Sequence, residues 1–209
     1  MAGSTSVQPF AELLADEYMD EAENMIINVQ GGGSSAGARS ALSGVAEIGM
    51  LSRKLQGDEK ALIPTTIAYD AIAVVVHPSN PCQDLGIEEI RDIFAGNATD
   101  WSEVQGEARK IHPVAREEGS GTRGAFDEII MGEVEVSPGA IVQDSNGAVR
   151  EIVAGDPSAI GYISLGLVDK RVKAIAVQGV FPSIDTVADN TYKLVRPMIL
   201  ATRENPVKE

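Results

Sequence analysis

Three short stretches combine glycine with hydroxyl residues: Gly3-Ser4-Thr5-Ser6, Gly31-Gly32-Gly33-Ser34-Ser35 and Glu118-Gly119-Ser120-Gly121-Thr122. Each stands immediately before a segment with helical character. The first turn of a helix carries unpaired amide N–H groups and the positive end of the helix dipole. Glycine lets the backbone approach a ligand closely, and Ser and Thr hydroxyls add donors on the same side. Such a loop can cradle a small oxygen-rich anion. Any one of the three is also an ordinary helix cap, since Ser and Thr are favoured there. Three in one chain of 209 residues form a pattern, although spacing alone does not say that they converge. Arg116 adds a fixed charge four residues before Ser120, near the end of an expected strand. Its guanidinium could grip an oxyanion through two parallel bonds, or it could form a surface ion pair with Glu117 or Glu118.

Other chemistry finds little support. Gly119-Ser120-Gly121-Thr122-Arg123-Gly124 lacks the lysine of a nucleoside-triphosphate loop. His77 and His112 have no metal-ligand spacing with each other or with Cys82, and both read as structural. Asp127-Glu128 and Glu88-Glu89 read as solvated helix faces, and Trp101 as a packing anchor. No nucleophile with a nearby base is legible.

The elements that must position these loops follow from hydrophobic patterning. Apolar residues make up 44% of the chain but aromatics only 4%, so the core must rest on Val, Ile, Leu and Ala. Phe10, Leu13, Leu14 and Tyr18 share one face of an expected helix. Short strands are expected over 25–30 and 46–51, with a small helix between the second glycine-rich loop and about Leu42. The run from Ile67 to His77 reads as a buried, β-branched strand. A helix is expected from Ile87 to the stop at Gly96, a strand over 111–116 and a helix after Gly121. A helix fragment over 149–153 follows, and then strands over 160–164, 172–177 and 192–201. Strands alternate with helices, so the fold class is α/β. The length suits one large domain or two lobes of about 100 residues each.

The formal net charge of −14 and pI of about 4.5 argue against nucleic acid or an anionic membrane as partner. An acidic chain that binds an anion must use local dipoles and hydrogen bonds against its overall field. A single cysteine excludes an intrachain disulfide, and no apolar run reaches the length of a membrane span. No targeting segment is legible after Met1, so the sequence reads either as cytosolic or as lacking its targeting segment.

Taken in order, Gly3-Ser4-Thr5-Ser6-Val7, the run Gly31–Gly37, Ile48-Gly49-Met50-Leu51-Ser52-Arg53, Ile93-Phe94-Ala95-Gly96 with Trp101, Arg116-Glu117-Glu118-Gly119-Ser120-Gly121-Thr122-Arg123 and Ala159-Ile160-Gly161-Tyr162 resemble the phosphate-binding proteins of high-affinity phosphate ABC transporters. The likeness runs over nearly the whole chain. It implies a two-lobed type II periplasmic-binding-protein fold that closes around one inorganic phosphate. Residues 1–72 with 172–209 would form the first lobe and 73–171 the second, with a ligand cleft between them. Crossovers would lie near 69–74 and 163–172. By the same resemblance Ser4, Thr5 and Ser6 would hold the anion through N–H groups and the Thr5 hydroxyl. Ser34 would add a hydroxyl, and Arg116, Ser120, Gly121 and Thr122 would form the clamp of the other lobe. Ser52 stands where some members carry an aspartate that accepts the proton of hydrogen phosphate. The resemblance further implies a monomer outside the cytoplasm that serves permease subunits of an ABC importer, without cofactor or metal and without being an enzyme.

Two departures matter. Ser52 rejects a fully deprotonated oxyanion less strongly than a carboxylate does, which bears on phosphate over sulfate. The chain also stops at Glu209, where family members usually continue with a further helix and tail. The rival readings are a receptor for sulfate, molybdate or tungstate, an enzyme acting on a phosphoester, and a signalling or adhesion module.

Overall fold

Strand-to-helix handovers place all three glycine- and hydroxyl-rich loops. The computed structural model describes residues 1–22, 25–104 and 106–205. In chain order the elements are β1 (Ala2–Gly3), α1 (Gln8–Glu21), β2 (Gln30–Gly31), α2 (Ser34–Ser43), β3 (Gly49–Leu51), β4 (Ile63–Val76), β5 (Asp84–Leu85), α3 (Ile87–Ala95), β6 (His112–Arg116), α4 (Gly121–Phe126), β7 (Ile141–Gln143), α5 (Asn146–Gly155), β8 (Ala159–Ser164), β9 (Lys173–Ala174), β10 (Ala176–Val177), α6 (Ile184–Ala188) and β11 (Val195–Thr202). The alternation is that of the expected α/β class. The chain divides into two compact units. The first holds Met1–Tyr69, Gly119–Gly121 and the segment from Arg196 onward; the second holds Asp70–Glu118 and Thr122–Val195.

In the first unit β1 pairs parallel with β2 and β3, and β11 joins β3 antiparallel, giving the order β2-β1-β3-β11. The strands are only long enough to aim the loops that follow them. Helix α2 lies almost on the backbone of β1: a Cβ added at Gly37 would stand 2.6 Å from the Ala2 carbonyl oxygen and 2.7 Å from the Gly3 Cα. Only glycine permits that approach. Two small apolar clusters complete the unit. One gathers Ala38, Ala41, Leu51, Leu62, Ile199 and Ala201, the other Val7, Ala11, Met50 and Met198.

Helix α1 forms where expected but turns the other way. Phe10, Leu13, Leu14 and Tyr18 are exposed, and the helix buries Ala11 and Ala15 instead. With Val7 these recur every four residues, and Val7 and Ala11 meet Met50 and Met198. Small side chains bring the helix close to the sheet, and this close fit overrides the larger apolar stripe. Of the strand expected over 25–30, only Gln30 is strand, and it runs on into Gly31. Likewise, 192–194 are not strand, and β11 begins at Val195.

In the second unit β4 pairs antiparallel with β8, from Ile72 opposite Ser164 to Val76 opposite Ile160. Parallel pairing continues from β8 to β6 and from β6 to β7. Ala71–Val76 are all buried, as the β-branched run requires. An aromatic stack fills one face. Phe126 and Tyr162 lie parallel with ring centroids 3.9 Å apart, and Phe94 meets each edge-on. Helix α4 runs on into one π-helical turn, Asp127–Met131.

The expected lobe boundary near residue 172 is corrected. The segment 172–195 belongs to the second unit. Lys173 and Ala174 pair with Val76 and Val75, and Ala176 and Val177 pair with Asp84 and Leu85. Ile175, Val177, Tyr192 and Leu194 are buried in the second unit's core, and the Tyr192 hydroxyl donates to the Ile72 carbonyl at 2.8 Å. These paired backbones and buried side chains hold the segment there until Arg196. The first crossing, between Tyr69 and Asp70 within β4, falls within the expected stretch. Residues 206–209 of the expected first lobe lie outside the described residues.

Candidate functional site

Four serines that the sequence scatters over 49 positions, from Ser4 to Ser52, meet in the first unit. Ser4, Ser6, Ser34 and Ser52 are all buried. The Ser4 hydroxyl donates to Ser52 Oγ at 2.8 Å, and the Ser52 amide N–H donates to Ser34 Oγ at 3.0 Å. Ser34 Oγ and Ser52 Oγ stand 3.4 Å apart. The Ser6 N–H donates to Ser4 Oγ at 3.2 Å. Thr5, between them, is half-buried.

The backbone around Ser4 is committed to the fold. Its N–H donates to the Met50 carbonyl at 2.8 Å, and its carbonyl accepts from Val7 and Gln8. The Ser4 N–H is thus engaged by the Met50 carbonyl, and the Ser6 N–H by Ser4 Oγ. Ser34 opens α2, so the positive end of that helix dipole faces the cluster.

Gly121 is brought to the same place. A Cβ there would collide with Ser34 Oγ and Ser52 Oγ, so the backbone of the third loop lies directly against both hydroxyls. The Gly119 carbonyl accepts from the Ser35 N–H at 3.1 Å, tying the third loop to the second. Ser120, between these two glycines, is buried.

The sequence reading missed Arg196. This arginine is buried in the first unit. Its Nη2 donates to Ser6 Oγ at 2.9 Å, and its Nη1 stands 3.4 Å from Ser52 Oγ. A signal was present: strand periodicity puts Arg196 on the same side of β11 as the buried Met198, where a charge is rare unless it has a task.

A second buried arginine, Arg53, follows Ser52 in the chain. Arg53 grips Glu59 through both carboxylate oxygens, at 2.6 and 2.8 Å, and donates to Ser35 Oγ at 2.9 Å. Burial pushes the Glu59 carboxyl up in pKa, but the bonds from Arg53 and the Gln56 amide outweigh it and hold the group below the usual carboxylate range.

Arg116 and Thr122 are buried in the second unit. Arg116 is no surface arginine, although it does pair with Glu117: Nε and Nη2 reach the two carboxylate oxygens at 3.0 and 3.1 Å. The same edge donates to the carbonyls of Gln143 and Asp144. The Arg116 N–H donates to the Tyr162 hydroxyl at 3.1 Å, so the aromatic stack anchors the end of β6. Burial raises the Tyr162 pKa and keeps this hydroxyl protonated. Arg123 donates to the Arg116 carbonyl and pairs with Asp127.

The remaining candidates have structural partners. His112 bonds Asp156 at 2.6 Å, and His77 bonds the Ser79 hydroxyl at 2.7 Å. Trp101 is buried, with Nε1 donating to the Ser158 carbonyl. Among the described residues no cluster of His, Cys, Asp and Glu could hold a metal ion, and no helix is long and apolar enough to cross a membrane.

Residues 1–208 match the PBP superfamily domain. The phosphate-binding protein PstS of Bacillus subtilis is 33% identical over 199 residues, which cover 93% of this chain and 66% of that protein. The chain thus spans just under two thirds of that relative. The PstS of Borreliella burgdorferi is 26% identical, over 97% of this chain and 77% of its own length. Among solved structures, a putative phosphate ABC transporter substrate-binding protein with bound phosphate from Clostridium perfringens superposes with a TM-score of 0.95 at 40% identity, covering 100% of this chain and 87% of that one. An ABC-type phosphate transport receptor from Vibrio cholerae gives 0.81 at 37% identity, covering 99% and 87%. With identity spread along nearly its whole length, the chain belongs to the PBP superfamily and stands among the phosphate-binding proteins of ABC transporters.

Proposed function

We propose that this chain binds inorganic phosphate outside the cytoplasm and hands it to the permease subunits of an ABC importer, as a monomer and without chemistry on the ligand. The buried cluster of Ser4, Ser6, Ser34 and Ser52 beside Arg196, with the Gly121 backbone against it, carries this reading. Fully buried hydroxyls beside a guanidinium are costly unless a ligand or the fold uses them. Hydroxyls and helix-end dipoles can also attract an anion inside a chain whose net charge is −14.

On this reading the anion takes donors from the first unit (Thr5, Ser34, Ser52, Ser120 and Gly121) and from Arg116 and Thr122 of the second. A ligand that bonds both sets favours the arrangement in which both reach it, and so shifts the population toward a closed form. That form would be the one a permease recognises.

Calorimetry on phosphate-stripped protein tests the proposal. The expected result is one phosphate per chain with a dissociation constant of about 1 μM or tighter, equivalent to about −8 kcal/mol. No binding at millimolar phosphate overturns it.

A further inference from the structure

A pocket of about 430 Å³ opens on the first unit, and none of the candidate phosphate ligands lines it. That volume suits a small molecule. Leu62 and Ile199, both buried and packed in the cluster around Leu51, give it an apolar lining. Pro64 of β4 and Pro197 of β11 line it from neighbouring strands. A proline side chain has no rotamer freedom to lose, so these walls are set before a ligand arrives. Tyr69 adds an aromatic ring that is 68% exposed, a large apolar surface left uncovered.

The charge at this pocket runs against that of the whole chain. The protein carries 31 acidic residues against 17 Lys and Arg, yet Lys54 and Lys60 line the pocket and no carboxylate does. Both lysines are exposed, and among the described residues neither ammonium has a hydrogen-bond or ion-pair partner. Glu59, beside Lys60 in the chain, has both carboxylate oxygens taken by Arg53. We propose that the pocket binds a small organic anion with an apolar body, its head paired with Lys54 and Lys60 and its body on Leu62, Ile199 and Tyr69. A bare inorganic ion would leave the apolar lining unused, and a neutral or cationic ligand would leave the lysines unused. The proposal does not depend on the phosphate reading, because the two sites share no residue.

Calorimetry with sodium octanoate tests it, on the wild type, on the double variant Lys54→Gln with Lys60→Gln, and on Thr66→Trp. The wild type should bind one octanoate per chain with a dissociation constant of about 100 μM. Octyltrimethylammonium has the same chain and a cationic head, and should bind at least about tenfold more weakly. The overall field of an acidic protein favours the cation, so that order can come only from the local lysines. Loss of both lysines should weaken octanoate about tenfold and leave phosphate affinity within about twofold. Thr66 is an exposed lining residue, and a tryptophan there fills the pocket while both lysines remain, so octanoate binding should be lost. All three positions are exposed, so the fold should survive, and a urea melt of each variant checks that it does. Saturating phosphate should leave octanoate affinity within about twofold. No octanoate binding at about 10 mM overturns the proposal. So does undiminished binding by either folded variant, or displacement of octanoate by phosphate. A protein that binds octanoate but not phosphate would remove the functional reading and leave this site standing.

Discussion

The two units fix their candidate anion-binding groups in opposite ways. In the first, the loops are held by closeness: Gly37 lies on the backbone of β1, and Gly121 on the hydroxyls of Ser34 and Ser52. In the second, Arg116 is held by bulk: its amide bonds the hydroxyl of Tyr162, whose ring is stacked on Phe126 and flanked by Phe94. The guanidiniums differ too: Arg196 bonds serine hydroxyls, and Arg116 bonds a carboxylate and two carbonyls. A fit built on missing side chains tolerates no added atom, whereas a fit built on large rings tolerates no lost one.

That contrast can be broken at its strongest point first. Phe126→Ala empties the stack and should cost about 3–5 kcal/mol of stability in urea unfolding. Gly37→Ala adds a single carbon in the first unit and should cost about 1–3 kcal/mol by overpacking, measured the same way. Tolerance of Gly37→Ala without loss would show that the first unit does not depend on close approach.

Finer changes sharpen the contrast. Tyr162→Phe keeps the stack but leaves the Arg116 amide without its acceptor, at about 1–2 kcal/mol; phosphate affinity in calorimetry should fall because β6 no longer fixes Arg116. Glu59 supports the first unit through Arg53. Its folded pKa lies below the usual carboxylate range, so its contribution is present above the unfolded value and is lost as the pH falls through the folded pKa. Thermal melts from neutral to acid should show a shallower acid decline for Glu59→Gln than for the wild type. The smallest effect belongs to the exposed face of α1: Leu13→Gln should change stability by no more than about 0.5 kcal/mol, despite the helical spacing that made Leu13 look like core.

Much of this protein was legible in its sequence. The β-branched run through Val74–Val76 read as a buried strand, and the glycine- and hydroxyl-rich loops read as openings of helices, because those choices are set largely by local sterics and by period. The buried serines were found by type. Three things stayed out of reach. The face α1 buries depends on how near small residues let it come to the sheet. The return to the first unit falls at Arg196 because pairing with β4 and β5 holds 172–195 in the second. Arg196 itself meets Ser6 and Ser52 across 190 and 144 positions of chain. Sequence patterns report what each segment prefers alone; which distant groups share a hydrogen bond is decided only when the packed chain brings them together.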